Sequence, residues 1–264
     1  MTLTLAALAA THAETFVLAF CRLGAMMAWA PVLGHRSIPV AHRAALAALL
    51  AMVLTPMLGT PAPGSRDDLG FVLALAGEAF IGLAIGFVAN LVLMAVHMAG
   101  EILGFQMGFG IAAIYDPALG QQSTVVTRFH EFFALMLFLA LNGHHFLLQA
   151  VVASFQRVRP GGLLMQSAAA GSVASLGSKL FRSGLELAAP LIGILFVANF
   201  ALALLARLAP QTNVFFVGVP VTVGLGIYGL METFPHFTAV FGRLVTEMAG
   251  DLSALVAGAS HGVR

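Results

Sequence analysis

Apolar residues run along this chain in long, nearly uninterrupted blocks. Six segments stand out, at about Ala13–Leu33, Ala44–Gly59, Leu69–Val96, Glu131–Ala153, Leu185–Leu205 and Val214–Leu230. Each is close to or beyond the roughly 18 residues needed to cross a bilayer core. Their Ala, Leu, Phe and Val content predicts helices paired as hairpins. Between them lie "GHRSIPVAHR", the Pro/Gly-rich "TPAPGSRDD", a glycine-studded stretch "AGEILGFQMGFGIAAIYDP", a polar segment from Ser154 to Arg182, and the short turn "RLAPQT". No stretch is long enough to form a separate domain, and no internal repeat is visible. The expected architecture is an all-α, membrane-associated protein in which residues 1–264 form a single domain.

Composition supports the membrane reading. Of 264 residues, 60% are hydrophobic and 9% charged, against about 25% charged in an ordinary soluble domain. With a net charge of +1 and twelve scattered basic residues, no basic face is available for nucleic acid, and that function is excluded. Cys21 is the sole cysteine, so neither an internal disulfide nor a cysteine-based metal cluster is possible within the chain. No Lys or Arg precedes Arg22, so the first apolar segment lacks the basic flank of a cleavable signal and is expected to stay in the mature protein.

Charge placement argues against a simple lipid-facing bundle. If the loops alternate sides, one set carries four Lys/Arg and the other seven, which sets no orientation. Glu14, Arg22, Glu78, Glu131 and Glu186 interrupt the apolar runs, each costing about 2.5–3.5 kcal/mol at a bilayer centre. Such residues are expected to pair with an Arg, a backbone group or a neighbouring subunit. Small residues recur at four-residue spacing, at Gly82 and Gly86, at Gly100, Gly104, Gly108 and Ala112, and at Gly218, Thr222 and Gly226. This spacing allows helices to approach closely.

Enzyme signatures are not found. "HEFFA" at His130–Ala134 lacks the second His that would put two zinc ligands on one helix face. His144 and His145 are adjacent, about 100° apart on a helix, and do not converge on one ion. "GFQMGFG" has no lysine to reach a phosphate. No catalytic residue, metal or cofactor is expected.

Several local patterns occur in a fixed order. "RSIP" at Arg36–Pro39 follows the first segment, and "AGEILGFQMGF" at Ala99–Phe109 leads into "DPA" at Asp116–Ala118. "LFLALNGHH" at Leu137–His145 precedes "SFQRVRPGG" at Ser154–Gly162, and "NFALALLARLAPQTNVFFVGVP" spans Asn199–Pro220. This series closely resembles the FliR family of flagellar export proteins, over about residues 15–235. Its virulence branch, in type III secretion systems, is similar. Val219 and Arg159 depart from the usual residues near the two prolines that follow them.

The resemblance implies a non-enzymatic subunit of an export gate at the bacterial inner membrane, in the flagellar basal body. Its partners would be FliP-like and FliQ-like subunits and an FlhB-like switch protein, and unfolded secreted proteins would pass through the pore. The helices would pack into a helical assembly instead of each facing lipid. The resemblance also places a plug at about Gly104–Gln122. Phe105, Met107, Phe109 and Ile111 would then seal by excluding water, while Gly104, Gly108 and Gly110 would leave the backbone free to reorganise. In that reading the helix ends near Gly104. Asp116 and Pro117 mark a turn, and Glu101 and Gln106 are assembly positions, with Gln106 aimed at a neighbouring subunit's backbone. Asn142, Gly143 and His144 are expected to interrupt a helix, with His144 bonding freed carbonyls. Arg207, Pro210 and Gln211 would sit at a hairpin tip that contacts partner subunits. The alternatives are a small-solute or ion transporter and a membrane scaffold without a pore.

Overall fold

The computed structural model describes residues 5–35, 37–61, 68–110, 123–162, 169–211 and 213–258. Within them the chain is helical, with no strand. The helices are α1 (Leu5–Trp29), α2 (Val40–Leu54, continued by a single 3-10 turn at Thr55–Met57), α3 (Asp68–Gln106), α4 (Val125–Ala140), α5 (Gly143–Arg157), α6 (Ala169–Leu208) and α7 (Val214–Gly258).

Three helices are longer than the apolar runs predict. α3, α6 and α7 contain 39, 40 and 45 residues, or roughly 60 Å each at 1.5 Å per residue, against a bilayer core of about 30 Å. The extra length of α7 lies beyond Leu230. There the uninterrupted apolar run gives way to an amphipathic pattern, with Phe237, Phe241, Leu244, Met248, Leu252 and Val256 all buried. Spacings of three and four residues keep one face in the core. Pro220 and Pro235 lie inside α7, and Pro190 inside α6. The run Glu131–Ala153, expected as one apolar segment, is broken between α4 and α5. Among the described residues, four stretches are long and apolar enough to cross a membrane: Val40–Met57, Asp68–Gln106, Leu176–Leu208 and Phe216–Val256. A fifth exists if α4 and α5 count as one.

The chain divides into two compact units. Residues 1–91, 142–174 and 246–264 form the first; residues 92–141 and 175–245 form the second. Thus α3, α6 and α7 each contribute to both.

In the first unit, α1 crosses α3 at a seam of small residues. A Cβ at Gly82 would collide with the Arg22 carbonyl oxygen, and one at Gly86 would lie 2.6 Å from that of Met26. Beside the seam is a buried ion pair. Arg22 is wholly inaccessible and Glu78 nearly so. Arg22 Nε donates to Glu78 Oε2 at 2.5 Å and Nη2 to Oε1 at 3.0 Å. The remaining donors reach the end of α5: Nη1 to the Ser154 hydroxyl at 2.9 Å, and Nη2 also to the Val158 carbonyl at 3.2 Å. The Gly161 N–H donates to Glu78 Oε1 at 2.9 Å. The guanidinium lies 3.9 Å from the centre of the Phe155 ring, within cation–π range.

The second unit is organised around aromatic contacts between α4 and α7. His130 is buried, its Nδ1 2.9 Å from the Val126 carbonyl, with its ring against the Phe237 ring at 5.3 Å. Phe133 meets Phe234 edge-on at 5.1 Å. At half-exposed positions His97 Nδ1 lies 2.6 Å from Glu131 Oε1, and Arg243 donates to Glu186 at 2.5 Å. The carboxylates at 78, 131 and 186 therefore find partners inside their own chain.

Removing one member of a buried, hydrogen-bonded ion pair costs about 3–5 kcal/mol, whereas replacing both with apolar residues is often neutral. Arg22→Met or Glu78→Leu alone should sharply lower the thermal unfolding midpoint of the detergent-purified protein, and the double variant should recover most of the loss. Equal destabilisation by single and double variants would contradict this account.

Candidate gating site at the end of α3

The glycine-studded stretch is built by three local devices. The first is the docking of α3 on the start of α4. A Cβ at Gly100 would fall 2.6 Å from Thr127 Cα, and one at Gly104 would collide with the Thr124 side chain. The two glycines thus make room for the α4 N-terminus, and Glu101 between them caps it. Glu101 Oε1 accepts from the Thr127 hydroxyl at 2.7 Å and from the Thr124 N–H at 3.2 Å. Thr124 is itself the N-cap of α4, its hydroxyl accepting from the Thr127 N–H. A carboxylate at this end also complements the positive pole of the helix. Glu101 therefore bonds within its own chain.

The second device ends the helix. Met107 N–H donates to the Leu103 carbonyl, Gly108 N–H to that of Phe105, and Phe109 N–H to that of Gly104. Gly108 has φ of 93°. The six-to-one and five-to-two bonds around a left-handed glycine are a Schellman motif. α3 consequently runs to Gln106, two residues past the expected end near Gly104. Gly104 and Phe105 lie inside the helix, whose last free carbonyls the motif satisfies.

The third device pins the residue after the helix. Met107 is fully buried, whereas Phe105 is 71% exposed. The Thr222 hydroxyl of α7 lies 3.2 Å from the Met107 carbonyl oxygen, sharing its proton with the Gly218 and Val219 carbonyls of its own helix. One turn on, a Cβ at Gly226 would collide with the Met107 side chain, lying 2.6 Å from its sulfur. Thr222 and Gly226 thus form the seat that receives Met107, whereas Gly218, one turn earlier, faces Leu202 of α6. Phe105 folds its ring over Gly110, where a Cβ would lie 2.7 Å from Cδ2. Gln106, Phe109 and Gly110 are half-buried. Ile111, Asp116 and Pro117 lie outside the described residues.

Comparison with known proteins gives this geometry its context. The sequence profile of the family described as "Bacterial export proteins, family 1" matches residues 13–248. The chain belongs to this family. The match extends past the expected 15–235 at both ends. The flagellar biosynthetic protein FliR of Escherichia coli (strain K12) is 36% identical over 236 residues, covering 89% of this chain and 90% of that protein. FliR of Bacillus subtilis (strain 168) is 33% identical over 219 residues, covering 82% and 84%. FliR of Caulobacter vibrioides is 34% identical over 228 residues, covering 83% and 88%.

The other residues singled out in this export-family chain belong to other elements. Asn142 takes the left-handed conformation, φ 57° and ψ 30°, and is the N-cap of α5 without a side-chain bond. Gly143 begins α5 and is buried. His144 Nδ1 is buried with no hydrogen-bond partner, and the ring rests against His145 at 4.3 Å. The expected bond from His144 to a freed carbonyl is therefore not made by this nitrogen; the backbone of Asn142 makes the turn. Arg207 stands in the last turn of α6, where a cation complements the negative end of a helix. It is exposed, as are Pro210 and Gln211 in the turn before α7.

Thr124 and Thr127 were not singled out in the sequence, although Thr-x-x-Thr ahead of an apolar run is an N-terminal helix signal. The Schellman assignment is open to test at Gly108. Gly108→Ala should destabilise the protein by about 1–2 kcal/mol, the cost of a Cβ in left-handed backbone. Gly108→Asn should cost less, because Asn tolerates that region. Thermal unfolding of the three proteins measures the order, and equal midpoints would refute it.

Proposed function

We propose that this chain is a subunit of the flagellar type III protein export gate, in which the end of α3 helps to seal the pore through which unfolded flagellar proteins leave the cell. The relatives named FliR support the flagellar role over 82–90% of each chain. The observation that carries the sealing role is the pairing of a fully buried Met107 with a largely exposed Phe105. An apolar ring projected from a fixed point is what a dewetted constriction requires. Phe109 extends that surface, and Gly104, Gly108 and Gly110 let it lie close to the helix end.

The chain acts as one functional unit, since three of its helices run through both compact units. It resides at the bacterial inner membrane in the flagellar basal body. Large apolar side chains remain exposed on α2 and the 3-10 turn after it, such as Leu49, Met52 and Met57, and on α6 and α7, such as Phe196, Phe200 and Tyr228. FliP-like and FliQ-like subunits and an FlhB-like protein would cover part of this surface. The turn carrying Arg207, Pro210 and Gln211 contributes to those contacts, together with Gln106 at the end of α3.

Deleting Gly104–Gly110 in the assembled gate should make cells permeable to small solutes. An intact barrier to a normally excluded dye, with the complex present at wild-type level, would sink the sealing role. Arg207→Ala should reduce co-purification of partner subunits before conductance changes. Normal recovery of the complex from that variant would remove the turn from the assembly contacts.

A further inference from the structure

We infer that Met107 is a latch: its seat on Thr222 and Gly226 of α7 holds the end of α3 in the sealed position, and opening the gate requires it to leave that seat. The inference rests on the export-gate reading and adds the element that fixes the closed state. Three observations carry it. Met107 is the first residue beyond α3, yet it is fully buried, while Phe105 just before it is largely exposed. Its backbone and side chain are held by the same helix, the carbonyl by the Thr222 hydroxyl and the thioether by the surface of Gly226. Immediately after it comes Gly108, whose left-handed backbone ends the helical hydrogen bonding.

These features divide the work. A residue inside a long helix moves only if the helix moves. Met107 caps the end of α3, its N–H still bonded to the Leu103 carbonyl, and with α3 in place it can leave its seat by rotation of its side chain and of the Met107–Gly108 peptide, a turn that glycine permits. The hold is also reversible. A shared hydroxyl hydrogen bond and an unbranched thioether on a glycine surface form one dominant fit without interlocking shape. A switch needs such a contact, because two packed arrangements must lie close in free energy. Glu101 with Thr124 and Thr127 fixes the preceding helical turn, so release at Met107 does not undo the attachment of α3 to α4.

The groove is narrow enough to be locked chemically, since a Cβ at position 226 would lie 2.7 Å from Met107 Cγ. In a Cys21→Ala background, Met107→Cys/Gly226→Cys should form a disulfide in the assembled export apparatus when cells are treated with copper phenanthroline. Cross-linking should abolish flagellar protein export, and dithiothreitol should restore it. Failure of the cross-link to form in the assembled complex would overturn the latch, as would undiminished export once electrophoresis shows it complete. In the opposite sense, Gly226→Ala crowds the seat and should raise dye entry with the complex recovered at normal yield. Reduced yield with the remaining complexes still sealed would show the contact to be structural only and would overturn the latch. The deletion of Gly104–Gly110 separates the two ideas: dye entry in that deletion together with normal export from the cross-linked gate rejects the latch and leaves the sealing role standing.

Discussion

A guanidinium and a carboxylate withdrawn from water impose the strictest condition on this fold. Desolvating the two ions costs several kilocalories per mole each, and their attraction offsets this only if every remaining donor and acceptor is matched. Around Arg22 and Glu78 that condition is met by the Ser154 hydroxyl, the Val158 carbonyl, the Gly161 N–H and the face of Phe155. The pair therefore requires that α1, α3 and the end of α5 meet in one arrangement. Glu78, Gly82 and Gly86 follow one another at four-residue spacing on α3, as do Arg22 and Met26 on α1. The stripe that carries the charge thus also carries the close backbone contact, and the glycines let the helices approach until the ion pair closes.

The same principle reappears, in weaker form, in the second unit. Gly100 and Gly104 flank Glu101 as Gly82 and Gly86 follow Glu78, and again a carboxylate is met where small residues permit close approach. Its partners here are a hydroxyl and a backbone N–H at a helix N-terminus instead of a guanidinium. Neutral partners at a half-buried site avoid the desolvation cost of a second ion. One end of the glycine-studded stretch is thereby tied down strongly and the other by lighter contacts at Met107. In the proposed sealing role, that gradient would let the end of the stretch move without loosening the helix that carries it.

Much of this was legible in the sequence. Uninterrupted apolar runs announced α2, the N-terminal parts of α3 and α7 and the C-terminal half of α6, because continuous hydrophobicity is a one-dimensional property. The four-residue small-residue stripes announced close helix contacts for the same reason. Legibility failed where periodicity replaced continuity: beyond Leu230 the buried positions of α7 are spaced three and four apart among polar residues, so a search for apolar runs stops too early. It failed again at Gly104, where glycine inside a helix and glycine ending one look alike in a sequence. The left-handed φ at Gly108, and the hydrogen bonds that accompany it, distinguish the two.

By itself the sequence determined the all-helical class, the membrane character and, through the order of its motifs, the family. Each of these depends on which residues stand near one another along the chain. Only the tertiary structure decided which charges meet. Arg22 finds Glu78 56 positions away and Ser154 132 positions away, and Thr222 reaches Met107 across 115 positions. No local pattern encodes such pairings, because the low-dielectric surroundings that make them strong exist only once the helices have packed.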